Sequence, residues 1–85
     1  MKEFKYIITD PVGIHARPAG LLAKEASKFS SKITIETNGK TADATRLMAV
    51  MGLGVKSGTE VLVTASGEDE AEAVAKLQEF MVRNL

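Results

Sequence analysis

The 85-residue chain contains no cysteine. That removes disulfides, thiolate nucleophiles and cysteine-based zinc sites together. It also suits a reducing compartment, so the protein is expected in the cytoplasm. Tryptophan is absent too, and three Phe and one Tyr leave the core to aliphatic side chains. One histidine without cysteine is a poor donor set for a transition metal. Neither a metal nor another cofactor is expected. No apolar run approaches the length of a membrane span. The opening "MKEFKYIITD" carries charge throughout, unlike a signal peptide, and no membrane partner is expected. Formal net charge is zero, so bulk attraction to nucleic acid is not expected either. The length fits one small domain, residues 1–85, with no linker, repeat or low-complexity segment.

What charge there is lies unevenly. Residues 1–56 hold nine Lys or Arg against five Asp or Glu, and residues 57–85 hold two against six. The basic part is either an accident of sequence or a surface that meets acidic or phosphorylated partners. Glu3 to Thr9 is rich in aromatic and β-branched residues, with Phe4, Tyr6 and Ile8 alternating, and reads as a strand. Ala16 to Phe29 sets Ala19, Leu22, Ala26 and Phe29 on one helical face. Gly20 within it is a small cost or a point of close approach. Lys32 to Thr37 alternates as a strand, and Asn38-Gly39 signals a tight hairpin into "KTAD". Arg46 to Gly54 reads as a short helix stopped by glycine. Thr59 to Gly67 reads as a strand and the remainder as a closing helix with Val74, Leu77 and Met81 inward. Asp69 and Glu72 have the spacing of a capping box, and Arg83 sits near the helix's negative end. The order β-α-β-β-α-β-α predicts an α+β fold, a single mainly antiparallel sheet with its helices on one face.

The stretch "DPVGIHARPAG" holds the only histidine, His15, and both prolines. If a helix begins at Ala16, His15 stands at its N-cap, where Ser, Thr, Asp and Asn are preferred and His is not. A poor cap at a well-formed helix start points to another use. Pro18 falls in the first turn, where its missing N–H is not needed. The free N–H groups of that turn and the helix dipole favour an anion. Arg17 adds a guanidinium suited to phosphate. A neutral imidazole is a nucleophile. The chemistry that uses all three is phosphoryl transfer to and from His15. A lone histidine at a helix start is also met as ordinary surface, and His-x-Arg-Pro is a short pattern. Other sites fit worse. There is no G-x-S-x-G and no Walker-type phosphate loop, and Gly52-Leu53-Gly54 reads as a helix end.

"GIHARPAG", Gly13 to Gly20, resembles the active-site signature of the HPr family. These are the histidine phosphocarriers of the bacterial phosphoenolpyruvate:sugar phosphotransferase system. The likeness extends through "NGKTADA", "LMAVMGLGVKSGTEV" and "ASGEDEAEAV", and length and element order agree. The resemblance implies an open-faced β-sandwich, a four-stranded antiparallel sheet with three helices on one face. It implies that His15 accepts a phosphoryl group on Nδ1 from Enzyme I and passes it to the IIA domains of sugar permeases. Arg17 would stabilise the group, and the backbone N–H of Ala16 would bind it. Such a protein is a carrier, expected as a monomer, and not an enzyme in its own right. The family's docking face would fall on Gly20, Leu21, Lys24, Leu47, Met48 and Met51. By residue type alone these Leu and Met side chains are equally candidates for the core. A helix this short cannot turn them all inward, however, and flexible Met suits a surface with several partners.

Two positions depart from the resemblance. Many Gram-positive relatives open the second helix with a serine that HPr kinase phosphorylates to control catabolite repression. Arg46 stands there in this chain, so control by HPr kinase is not expected. Thr45 is adjacent, and Thr45 or Asp43 is left to cap the helix. Val12 stands where relatives often carry a polar residue. Two other readings remain open on the sequence: a regulatory paralogue, such as one of the nitrogen-related branch, and a non-catalytic protein-binding module on the same fold. His15 paired with Arg17 favours a carrier over a pure binding module.

Overall fold

A computed structural model describes residues 1–85. The elements are β1 (Lys2–Ile7), α1 (Ala16–Ala26), β2 (Lys32–Thr37), β3 (Lys40–Asp43), α2 (Leu47–Met51), β4 (Glu60–Ser66) and α3 (Glu70–Asn84). The four strands form one antiparallel sheet in the order β1-β4-β2-β3. α3 packs on β1 and β4, α2 on β3, and α1 against both other helices. One face of the sheet is thereby covered and the other left open, as expected from the sequence. No helix is long and apolar enough to cross a membrane.

Alternation in the strands decides which face is covered. Phe4 pairs with Val63 and Val63 with Ile35, while Lys5 pairs with Leu62 and Leu62 with Glu36. The first row joins Ile33, Val61 and Ala65 beneath the helices, where all but half-buried Phe4 are buried. The second row faces solvent. A slip of one residue would exchange the rows. It would expose side chains whose burial is worth about 1.5–3 kcal/mol each. The helices contribute their apolar stripes to the same core: Ala19, Leu22 and Ala26 of α1, Val50 of α2, and Ala73, Leu77 and Met81 of α3. The β2–β3 hairpin turns on Asn38 (φ 51) and Gly39 (φ 78), two successive positive-φ residues whose twist matches that of the strands.

Local competition moves several boundaries from their sequence positions. α1 ends at Ala26: the Ser27 N–H makes the last i→i−4 bond, to the Ala23 carbonyl (3.0 Å) that the Ser27 hydroxyl also occupies (2.7 Å), and the Lys28 and Phe29 N–H groups then turn to the i−3 carbonyls of Glu25 and Ala26. Phe29 lies beyond the helix, half-buried against the core. α2 spans five residues only, and Val50 alone is fully buried among them. Neither Thr45 nor Asp43 caps it. Arg46 is the N-cap and makes no side-chain cap bond. The Asp43 carboxylate instead accepts the Thr45 N–H and hydroxyl, at 2.9 and 2.6 Å. Those two bonds, the hydroxyl first, hold its carboxyl below the usual carboxylate range.

The expected capping box on α3 is absent as well. Asp69 is the N-cap, but its side chain does not bond its own helix. Its carboxylate accepts the N–H groups of Ser30 (2.8 Å) and Ser31 (2.9 Å) and the Ser31 hydroxyl. This clasp ties the α1–β2 turn to the start of α3, and the Ser31 hydroxyl is the main reason the Asp69 carboxyl is held low. Glu70, not Glu72, reaches back, accepting the Gly67 N–H at 3.2 Å.

Candidate functional site

The loop between β1 and α1 is pinned at several points. The Asp10 N–H (2.8 Å), the Thr9 N–H and the Thr9 hydroxyl (2.9 Å) all donate to a main-chain oxygen of Leu85. The Asp10 side chain turns inward on the loop and accepts the Val12 N–H at 2.8 Å. Gly13 then takes φ +83, and a Cβ built there would lie 2.3 Å from the Val55 carbonyl oxygen. Both the left-handed backbone and the close approach require glycine. The next N–H, that of Ile14, donates to the same Val55 oxygen at 3.1 Å, and the Ile14 side chain is buried. His15 therefore leaves a fixed platform.

α1 begins immediately after it. His15 has extended φ −112 and ψ −171, and its carbonyl accepts the Ala19 N–H at 3.0 Å. Its ring makes no capping bond and stays half-exposed. No acceptor within the chain takes the N–H groups of Ala16 or Arg17. Pro18 is buried and seats the first turn against the core. Arg17 is exposed and forms no ion pair. The helix start thus presents a ring nitrogen, two unbonded amides, the positive end of a dipole and a free guanidinium.

The ring lines a cleft of about 220 Å³. Arg17, Pro18 and Leu21 of α1, Asp10 of the preceding loop, and Arg83 and Asn84 from the last turn of α3 line it as well. Sequence reasoning missed Asp10, Arg83 and Asn84. Arg83 was legible only as a helix-end cation, and nothing in the pattern around it points to His15. A larger hollow of about 650 Å³ runs along the outer face of α3 past Ala75, Lys76 and Val82. It holds neither a histidine nor a free helix start.

The residues of the expected docking face do come together, because α1 and α2 pack side by side. Leu21 is 41% exposed, Leu47 38% and Met48 76%. Lys24 is exposed, and Gly20 and Met51 are half-buried. A Cβ at Gly20 would meet nothing within 4 Å, so no close approach inside the chain explains that glycine. Arg46 is exposed at the head of α2. Val12 is 67% exposed on the loop before His15.

Fold and site together define a small open-faced α+β sandwich that carries a histidine at an anion-receptive helix start. Residues 2–83 match the family described as the PTS HPr component phosphorylation site. The chain is 49% identical over 82 residues to the phosphocarrier protein HPr of Mycoplasma capricolum subsp. capricolum, covering 96% of this chain and 92% of that one. A solved Mycoplasma histidine-containing phosphocarrier protein superimposes with a TM-score of 0.94 at 48% identity, covering 96% of this chain and 93% of that one. An HPr from Thermoanaerobacter tengcongensis does so at 0.92 and 43%, covering 96% and 92%. The chain belongs to the HPr family, the phosphocarrier proteins of the phosphotransferase system.

Proposed function

We propose that this chain carries a phosphoryl group on Nδ1 of His15, receiving it from Enzyme I and handing it to the IIA domains of sugar permeases. The observation that carries this reading is the gathering at the start of α1 of the His15 ring, the unbonded N–H groups of Ala16 and Arg17, and the unpaired Arg17 side chain, with His15 and Arg17 lining one cleft. In the forward step the Nδ1 lone pair forms a bond to phosphorus. The bond from phosphorus to the donor breaks, its electron pair returns to the donor, and the proton on Nε2 stays in place. The free amides and Arg17 face the phosphoryl oxygens as charge gathers on them. Transfer onward reverses these events toward the acceptor. The chain supplies no second reacting group, so the partner supplies the rest of the chemistry. It acts in the cytoplasm as a monomer, docking through Gly20, Leu21, Lys24, Leu47, Met48 and Met51. HPr kinase finds no hydroxyl at Arg46. The paired His15 and Arg17 favour the carrier over a binding module.

The test is incubation with Enzyme I and labelled phosphoenolpyruvate, followed by addition of a IIA domain. Label is expected on His15 alone, in an acid-labile, alkali-stable linkage, and is expected to leave when the IIA domain is added. Label retained by His15→Ala would refute the assignment.

A further inference from the structure

Arg83 stands far from His15 in sequence, yet it lines the same cleft. Its backbone is held in place there. Asn84 Nδ2 donates to the Phe80 carbonyl at 3.0 Å, the Leu85 N–H donates to the Met81 carbonyl at 2.8 Å, and Leu85 is buried. The main-chain oxygen of Leu85 in turn receives the bonds from Thr9 and Asp10 that fix the His15 loop. The end of α3 is thus tied to the loop that leads into α1. Arg83 also lacks an anionic partner. Glu79 lies one turn before it, yet no carboxylate comes within ion-pair distance of Arg83. The single carboxylate lining the cleft, that of Asp10, is engaged with the Val12 N–H. Two arginines without an ion-pair partner, one from α1 and one from α3, therefore line one cleft.

We infer that Arg83 is a second cation for the group carried on His15, acting across the cleft from Arg17 and stabilising the phosphorylated form. This inference rests on the carrier reading above and extends it to a residue outside the α1 signature. The two arginines have different standing. Arg17 belongs to the same turn as the reacting ring and moves with it. Arg83 reaches the cleft only because the fold brings α3 there, so its effect is long-range attraction to the phosphoryl dianion. Arg83 is exposed, so this attraction acts through solvent and is screened by salt.

The deciding measurement is the equilibrium occupancy of His15 by phosphoryl at a fixed ratio of phosphoenolpyruvate to pyruvate, with catalytic Enzyme I. Docking changes how fast that equilibrium is reached but not where it lies, so this quantity isolates the phosphorylated state. At low salt Arg83→Gln should lower the equilibrium constant about two- to fivefold, and the difference should shrink as salt rises. Arg83→Lys should restore most of it, because the effect is one of charge. Lys32→Gln is the control for overall charge. It lies where β2 meets the far end of β4, opposite the end of β1 from which the His15 loop departs, and should leave the constant unchanged. An Arg83→Gln protein with the parent's equilibrium constant at low salt overturns the inference while leaving the carrier reading intact. A parent protein that takes no label at His15 overturns the carrier reading, and this inference with it.

Discussion

His15 owes its position to a neighbour as much as to its own chemistry. The left-handed Gly13 lets the loop press against Val55, and from there the next two residues are placed. Gly13→Ala should cost at least about 1–2 kcal/mol for the left-handed backbone alone, with more from the contact that a Cβ makes with Val55. Urea unfolding measures that loss, and phosphotransfer by the still-folded fraction should slow because the ring is displaced. A stability equal to the parent's would mean the loop has room to move. Arg17 is the contrasting case. It is exposed and unpaired, so Arg17→Ala should change stability by no more than about 0.5 kcal/mol. Removal of a charged donor aimed at developing charge costs roughly 3 kcal/mol of barrier, so transfer should fall about a hundredfold. Rapid-quench transfer rates beside thermal melts separate the two effects, and unchanged rates would return Arg17 to ordinary surface.

At the scale of elements, the Asp69 clasp is a long-range contact with a pH signature. Its carboxyl is held below its unfolded value by the Ser31 hydroxyl and by backbone N–H groups. A depressed folded value means the contribution is complete above the unfolded value of about 3.9. It is lost as pH falls from there through the lower folded value. Asp69→Asn should therefore be less stable than the parent near neutral pH, and the gap should close in acid. Thermal unfolding of both proteins across that range is the measurement. A gap that stays constant with pH would show that the clasp does not depend on the ionised carboxylate. Asp43, also held low, is bonded to Thr45 and drops out of the difference, whereas Glu70, held low chiefly by the Met1 ammonium, adjoins Asp69, so the same comparison in a Glu70→Gln background isolates the clasp.

On the scale of the whole molecule, the sheet order brings the exit of β1 and the end of α3 to one place, and the packing of α1 on α2 extends the site into a surface. That surface holds exposed Leu21, Met48 and Lys24, with exposed Arg46 at its edge. A rim charge governs encounter more than residence. Arg46→Glu should therefore slow association with Enzyme I or a IIA domain at low salt, with the loss shrinking as salt screens it. Stopped-flow association over a salt series measures this. Unchanged association at low salt would remove α2 from the docking face.

The elements themselves were legible because each rests on near neighbours. Alternation marks β2 at Lys32–Thr37, Asn38-Gly39 forces a hairpin by its backbone preference, and a helical stripe with Pro18 in its first turn places His15 at a helix start. For the same reason the cation beside His15 could be read where it was adjacent, at Arg17, and not where it was remote, at Arg83. Asp69 shows the other limit. Its spacing to Glu72 offered a local cap, but the folded chain brings Ser30 and Ser31 close enough to donate three hydrogen bonds, and that set outcompetes the local one. Strand order and the walls of the cleft arise from pairing and burial between segments distant along the chain. Periodicity says which face of a segment is apolar, and only packing determines which other segment covers it.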